Sequence, residues 1–189
     1  MLFCCTLFLM PGKPTIIITD FIADSLQIKK HIIGDSAEIT ALNAASEKEL
    51  IGKIEHADAI ILYHCISLGR RSIESLKQCK LILRAGVGID NVDLAFARSQ
   101  GIPVANIPDY GSEDVADTAV GMMLALTRGV SFLNSRLRNN IGEWSYIQGK
   151  PLYRLRNKNL GVVGLGRIGT AIALRAKSFG MNVIFYDPF

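Results

Sequence analysis

Leu160-Gly-Val-Val-Gly-Leu-Gly-Arg-Ile-Gly169, followed by Met181-Asn-Val-Ile-Phe-Tyr-Asp187, decides the fold class of this 189-residue chain. An apolar strand runs into Gly164-x-Gly166-x-x-Gly169, a helix-like stretch follows, and a second apolar strand ends in an acid. That order is the first βαβ unit of a dinucleotide-binding fold. Each glycine has its own task. Gly164 lets the chain turn off the strand, Gly166 lets a pyrophosphate approach the backbone, and Gly169 lets the helix pack on the strand. The helix-start amides near Arg167 and Ile168 point along the helix dipole at the phosphates. Asp187 lies 18 residues after Gly169, close to the spacing of the acid that bonds the ribose hydroxyls. A carboxylate there repels a 2′-phosphate, so NAD is expected over NADP. A glycine-rich turn in some other α/β protein would leave Asp187 without a reason.

Working outward, composition narrows the class. Apolar residues make up 49% of the chain and charged residues 20%, a globular balance rather than a disordered one. The net charge of +4 is modest, and no Lys/Arg run is long enough to suggest nucleic acid; the densest, Arg154 to Lys158, reads as the approach to the strand at Leu160. Cys4, Cys5, Cys65 and Cys79 show no metal-ligand spacing, and Cys65 and Cys79 read as ordinary thiols of a reducing, cytoplasmic compartment. His31, His56 and His64 are scattered and read as structural. No metal is expected. Residues 1–14 form an apolar extension too short to span a membrane and without the basic flank or cleavage site of a signal peptide.

The rest of the chain alternates. Strands are expected at Thr15–Thr19, ending at Asp20, and at Ala37–Leu42, Ala59–Tyr63, Lys80–Arg84 and Pro103–Asn106. Helices are expected over about 23–33, from Glu47 to about His56 with Ser46 as its cap, over Arg71–Gln78 and over Val92–Ser99. This alternation argues for a five-stranded parallel sheet covered on both faces. Ser112 is placed to cap a helix over Val115–Arg128 that ends at Gly129. That helix is apolar on most sides and should be deeply buried. Asn134 to Lys150, with the only Trp at 144, reads as a polar arm. The Gly-rich loop at Val87 and Gly88 follows a strand. An amide-lined anion site and a plain βα turn fit it equally well.

Five blocks carry a resemblance: Leu83-Arg-Ala-Gly-Val-Gly-Ile-Asp-Asn-Val-Asp93, Ala105-Asn-Ile-Pro108, Glu113-Asp-Val-Ala-Asp117, Gly142-Glu-Trp144 and Gly161-Val-Val-Gly-Leu-Gly-Arg-Ile-Gly169. In this order and spacing they are similar to the NAD-dependent D-isomer-specific 2-hydroxyacid dehydrogenases. That family includes phosphoglycerate dehydrogenases, hydroxypyruvate and glyoxylate reductases, and the C-terminal-binding-protein co-repressors. The stretch from Ala171 to Pro188 is especially similar to the co-repressor branch.

The resemblance implies a flavodoxin-like substrate domain over 15–111, an interdomain helix and arm over 112–150, and the start of a Rossmann NAD-binding domain over 151–189. It implies that Val87 and Gly88 offer amides to a substrate carboxylate, that Val87 also lies near the nicotinamide, and that Asp117 sits at a hinge. Its activity would be oxidoreductase chemistry: hydride transfer between NAD(H) and a small-molecule 2-hydroxy or 2-keto acid. The partner it implies is a second copy, with no nucleic acid and no membrane. The family's catalytic Arg, Glu and acid–base His belong to later segments and have no counterpart in these residues. The expectation is therefore a truncated, incomplete Rossmann domain, inactive alone, with no catalytic residue assigned. A dinucleotide-sensing interaction module without catalysis, like the co-repressors, is the alternative.

Overall fold

The computed structural model describes residues 12–20, 22 and 25–189. Most of the expected N-terminal extension, with Cys4 and Cys5, and residues 23 and 24 of the first expected helix lie outside these. The chain divides into two compact units, the first ending at Tyr110 and the second spanning Gly111–Phe189.

In the first unit, β-branched apolar runs form the strands, as their stiff side chains favour. They are β1 (Thr15–Asp20), β2 (Glu38–Ala44), β3 (Ala59–Leu62), β4 (Leu81–Arg84) and β5 (Val104–Asn106). Every pairing is parallel and the order is β2-β1-β3-β4-β5. Ile17 faces Thr40 on one side and Ile60 on the other, and Ile82 pairs with Ile60 and Val104. The helices are α1 (Gln27–Ile33), α2 (Arg70–Ser75) and α3 (Leu94–Ser99). Ile18, Ile60, Leu62 and Ile82 are wholly buried at the centre of the sheet. The five-stranded parallel sheet is thus as expected.

Three local expectations fail in this unit, the smallest being that α2 stops at Ser75 rather than Gln78. The helix expected from Glu47 to His56 is only a 3₁₀ turn over Glu47–Leu50. Leu50, Ile54 and Ala57, at helix-like spacing, are nevertheless all fully buried. The backbone reaches those positions through turns: Gly52 has φ +86°, and its amide donates to the Glu55 carboxylate. Ser46 donates to Glu49 instead of capping an amide. Glu47 accepts the Gly69 amide at 2.9 Å and the Ser72 hydroxyl at 2.7 Å, so the turn is spent in anchoring the start of α2. Helix α3 begins at Leu94 rather than Val92, because the Asp93 carboxylate accepts the Phe96 amide at 3.0 Å and caps it.

The second unit holds α4 (Ser112–Arg128), α5 (Val130–Arg138), β6 (Asn159–Val163), α6 (Arg167–Ser178) and β7 (Asn182–Tyr186). Strands β6 and β7 pair in parallel, with Val162 opposite Phe185. Helix α6 crosses between them, giving the expected βαβ unit. Ser112 does not cap α4; it is the first helical residue and buried, and Gly111 precedes it. Nor is α4 deeply buried: only Ser112, Ala116 and Val120 are enclosed, while Met122 and Leu126 are exposed. Those three lie four residues apart on one stripe, which Met123 and Leu124, half-buried against the cluster of Leu155, Ala176 and Met181, continue. The expected polar arm opens as α5, because Gly129 at φ +66° ends one helix and starts the next. Among the described residues, no helix is long and apolar enough to cross a membrane.

The burial pattern gives the first test. Leu50→Ala should cost about 2–5 kcal/mol of stability, the range for emptying a buried leucine site. Ile32→Ala, on the exposed side of α1, should stay within about 0.5 kcal/mol. Chemical denaturation of both variants measures the difference.

Candidate functional site

Two places gather the candidate residues, one in each unit. In the second unit, β6 ends at Val163 and the chain turns at Gly164 with φ +88°. The Gly164 amide donates to the Tyr186 carbonyl at 2.7 Å, which pins the turn to the end of β7. A Cβ on Gly169 would stand 2.0 Å from the Gly164 carbonyl oxygen, so α6 meets the strand too closely for any side chain. A Cβ on Gly166 would meet nothing within 4 Å, and Gly166 is exposed. The three glycines thus divide their tasks as the motif requires: one turn, one open approach and one close packing contact.

Gly166 precedes the first helical residue, Arg167. Among the described residues, the amides of Gly166, Arg167, Ile168 and Gly169 donate to no protein acceptor. They are the unsatisfied donors of a helix start. Asp187 lies at the same end of the unit. Its Oδ2 accepts the Leu165 amide at 2.5 Å and its Oδ1 accepts the Phe189 amide at 3.0 Å. Those bonds, Phe189 first and Leu165 second, hold the carboxyl below the usual carboxylate range. The bond to Leu165 places the acid against the glycine loop itself, a contact 22 residues apart in the chain that spacing alone does not reveal.

In the first unit, the loop after β4 carries Val87 and Gly88 at the C-terminal edge of the sheet, as expected. The Asn106 amide group donates to the Val87 carbonyl at 2.7 Å, and the Ile107 amide donates to the Gly86 carbonyl at 3.1 Å. This loop is therefore braced by the end of β5. Val87 and Gly88 are exposed, and among the described residues their own amides donate to no protein acceptor. Gly86 is buried, and a Cβ there would overlap the Arg84 guanidinium.

Asp117 ties α4 to α6: its carboxylate accepts Arg175 Nε at 2.6 Å, and Glu113 accepts the same guanidinium. The geometry is one of helix packing. Sequence reading missed Arg175, although its place in α6 and the acidic pair one helical turn apart on α4 are the signal of such a clamp. It also missed Asp20, whose partners all lie far along the chain. Among the described residues, no group of His, Cys, Asp and Glu could hold a metal ion.

Comparison with known proteins fits this geometry. Residues 16–179 match the family model of the D-isomer specific 2-hydroxyacid dehydrogenase catalytic domain. The chain is 40% identical over 158 residues to D-3-phosphoglycerate dehydrogenase of Methanocaldococcus jannaschii, covering 84% of this chain and 30% of that protein. It is 37% identical over 169 residues to D-3-phosphoglycerate dehydrogenase of Synechocystis, covering 89% of this chain and again 30% of the relative. The chain thus spans under a third of the length of these curated relatives. Among solved structures, the NAD-dependent formate dehydrogenase of Staphylococcus aureus in complex with NAD superposes with a TM-score of 0.77 at 28% identity, over 93% of this chain and 56% of that one.

Two predictions follow from the glycine loop. Gly169→Ala should destabilise the second unit by about 1–3 kcal/mol, the cost of overpacking a tight contact, as read from thermal or denaturant unfolding. The Asp187–Leu165 bond should be insensitive to pH near neutrality. A carboxyl with a lowered folded pKa contributes its stabilisation above the unfolded value and loses it only as pH falls through the folded one. Protection of the Leu165 amide from hydrogen exchange, followed by NMR in acid, should therefore fail only below the ordinary carboxylate range.

Proposed function

The chain belongs to the D-isomer specific 2-hydroxyacid dehydrogenase family, and on that premise we propose that it serves an NAD-dependent oxidoreductase acting on a 2-hydroxy or 2-keto acid. The observation that carries the reading is the glycine loop: an open Gly166, a packed Gly169, unpaired helix-start amides and Asp187 against the same loop. These residues fit a dinucleotide. The Gly166–Gly169 amides would take the pyrophosphate, and Asp187 would take the ribose hydroxyls. Bound NAD would supply the hydride acceptor or donor. The exposed amides of Val87 and Gly88 would hold a substrate carboxylate, since bare amides at a strand end suit an anion. No residue of this chain is assigned a proton-transfer role.

The division of labour belongs to the same proposal. Residues 15–111 would form the substrate domain, 112–150 the connecting helix and arm, and 151–189 the opening of the NAD-binding domain. A second copy is the proposed assembly partner. Exposed Met122, Leu126 and Trp144 on and after α4 offer it apolar surface. A cytoplasmic location accompanies the proposal, on the free thiols of Cys65 and Cys79. Burial pushes the Cys79 thiol up and keeps it unreactive.

Cofactor titrations of the full-length protein test the reading. Asp187→Ala removes a ribose acceptor and the repulsion of a 2′-phosphate, so NAD should weaken more than NADP. The lost bond corresponds to about 1–3 kcal/mol. Gly166→Ala should leave the unfolding midpoint nearly unchanged, because its Cβ enters open space, yet weaken both cofactors alike. An unchanged NAD/NADP ratio in Asp187→Ala would count against the role of Asp187.

A further inference from the structure

The first unit contains a buried charge that the proposed function does not use. Asp20 ends β1 and is fully enclosed. Its Oδ1 accepts the Thr19 hydroxyl at 2.6 Å and the Tyr63 amide at 3.2 Å. Its Oδ2 accepts the Cys65 amide at 2.8 Å and the Ile66 amide at 3.2 Å. Four donors converge on one carboxylate, so its burial is compensated by hydrogen bonds. Three of them are backbone amides of the loop that follows β3. In a sheet ordered β2-β1-β3-β4-β5, the ends of β1 and β3 flank the point where strand order reverses, the crevice in which open α/β sheets take ligands. Here the amides at that crevice close on a carboxylate of the chain itself.

The same loop is stitched on its other side to the segment after β4. The Asn91 side chain donates to the Tyr63 and Ile66 carbonyls, both at 2.8 Å. The Leu68 amide donates to the Asn91 carbonyl at 2.8 Å, and the Asp93 amide donates to the Leu68 carbonyl at 3.0 Å. Leu68 and Val92 form an isolated parallel bridge. Asn91 lies three residues after Gly88. A continuous chain of hydrogen bonds therefore runs from Asp20 through residues 63–66 to Asn91, at the foot of the Val87–Gly88 loop.

We propose that Asp20 is a positioning residue. By occupying the amides of the 63–66 loop it holds that loop rigid, and through Asn91 it fixes the Val87–Gly88 loop in the conformation that presents its amides to an anionic substrate group. The last step rests on the role proposed above for Val87 and Gly88. Asp20 touches no ligand; it acts through the two loops. A neutral amide in its place would turn an NH₂ group toward amide donors and break at least part of the nest.

The test uses the full-length protein, its Asp20→Asn and Asn91→Ala variants, and the double variant. Backbone amide order parameters at Val87 and Gly88 should fall from the rigid value of about 0.85 to below about 0.6 in each single variant. Amides inside β1, β3 and β4 should keep theirs. The double variant should loosen the loop no further than the more mobile single one. Pyruvate is the probe for the anion. Its titration midpoint, read at the Val87 and Gly88 resonances, should rise several-fold in both variants, while the NAD midpoint read at Leu165–Gly169 stays put. Asp20→Glu should recover part of the pyruvate affinity. Loosening confined to residues 63–66, or spread evenly through the strands, would overturn the proposal and leave Asp20 a buried structural acid. Should Asp20→Asn fail to fold, Asn91→Ala decides: an unchanged Val87–Gly88 loop in that variant overturns the coupling. Absence of any pyruvate response in the unaltered protein would sink the substrate reading of that loop, while the order parameters still report whether Asp20 holds it.

Discussion

A parallel strand cannot follow its neighbour through a hairpin; the chain must cross a face of the sheet and start again from the same end. All seven strands among the described residues obey that constraint, and much of the organisation follows. In the first unit the crossovers cover the sheet, so a strand such as β1 can be a run of Ile with little alternation. Within each unit every strand end opens on one edge, and the loops there are the parts free to vary. Val87 and Gly88 follow β4, residues 63–66 follow β3, and Gly164–Gly169 follows β6. The candidate residues of each unit are neighbours because the topology sends every strand end to the same side.

The second unit adds a closer constraint. Helix α6 can lie on β6 only if nothing projects from Gly169, since a Cβ there would fall 2.0 Å from the Gly164 oxygen. Ala173 and Ala176, both buried and on the same face as Gly169, carry small side chains along the helix. The start of α6 is thereby held at the strand end with its unpaired amides exposed. The clamp of Arg175 on Glu113 and Asp117 fixes the same helix to α4. Packing by small residues places the helix, and the charges secure it.

The strands, their parallel order and the glycine loop were legible because each rests on local chemistry: β-branched runs, crossover spacing, and glycines where only glycine fits. Three failures have a common cause. Leu50, Ile54 and Ala57 have helical spacing, yet the positive φ of Gly52 and the duty of Glu47 to the Gly69 amide turn the chain otherwise. Helix α4 is apolar on most sides, but its own unit covers only one stripe of it. Ser112 is a good capping residue that is instead enclosed as the first residue of the helix. In each case tertiary packing overrode a correct local preference. The Asp20 nest was illegible for a different reason. Its amide donors stand more than 40 residues away, and backbone amides leave no mark in a sequence.

Two aspartates show how one device serves two ends. Asp20 and Asp187 each stand at the C-terminal end of a parallel strand, and each accepts amides from the loop that follows a neighbouring strand. They differ in how far they are satisfied. A carboxylate has about four acceptor sites. Asp20 has four donors and no exposure, so it has nothing left to offer and can only hold structure. Asp187 has two donors and is partly exposed, so acceptor capacity remains for a ligand hydroxyl. Its bond to Leu165 orients the acid beside the glycine loop, and in the cofactor role proposed above that orienting would reduce the ordering cost on binding. Counting donors against lone pairs therefore separates a saturated acid from one with acceptor capacity to spare, although both end apolar strands and look alike in the sequence.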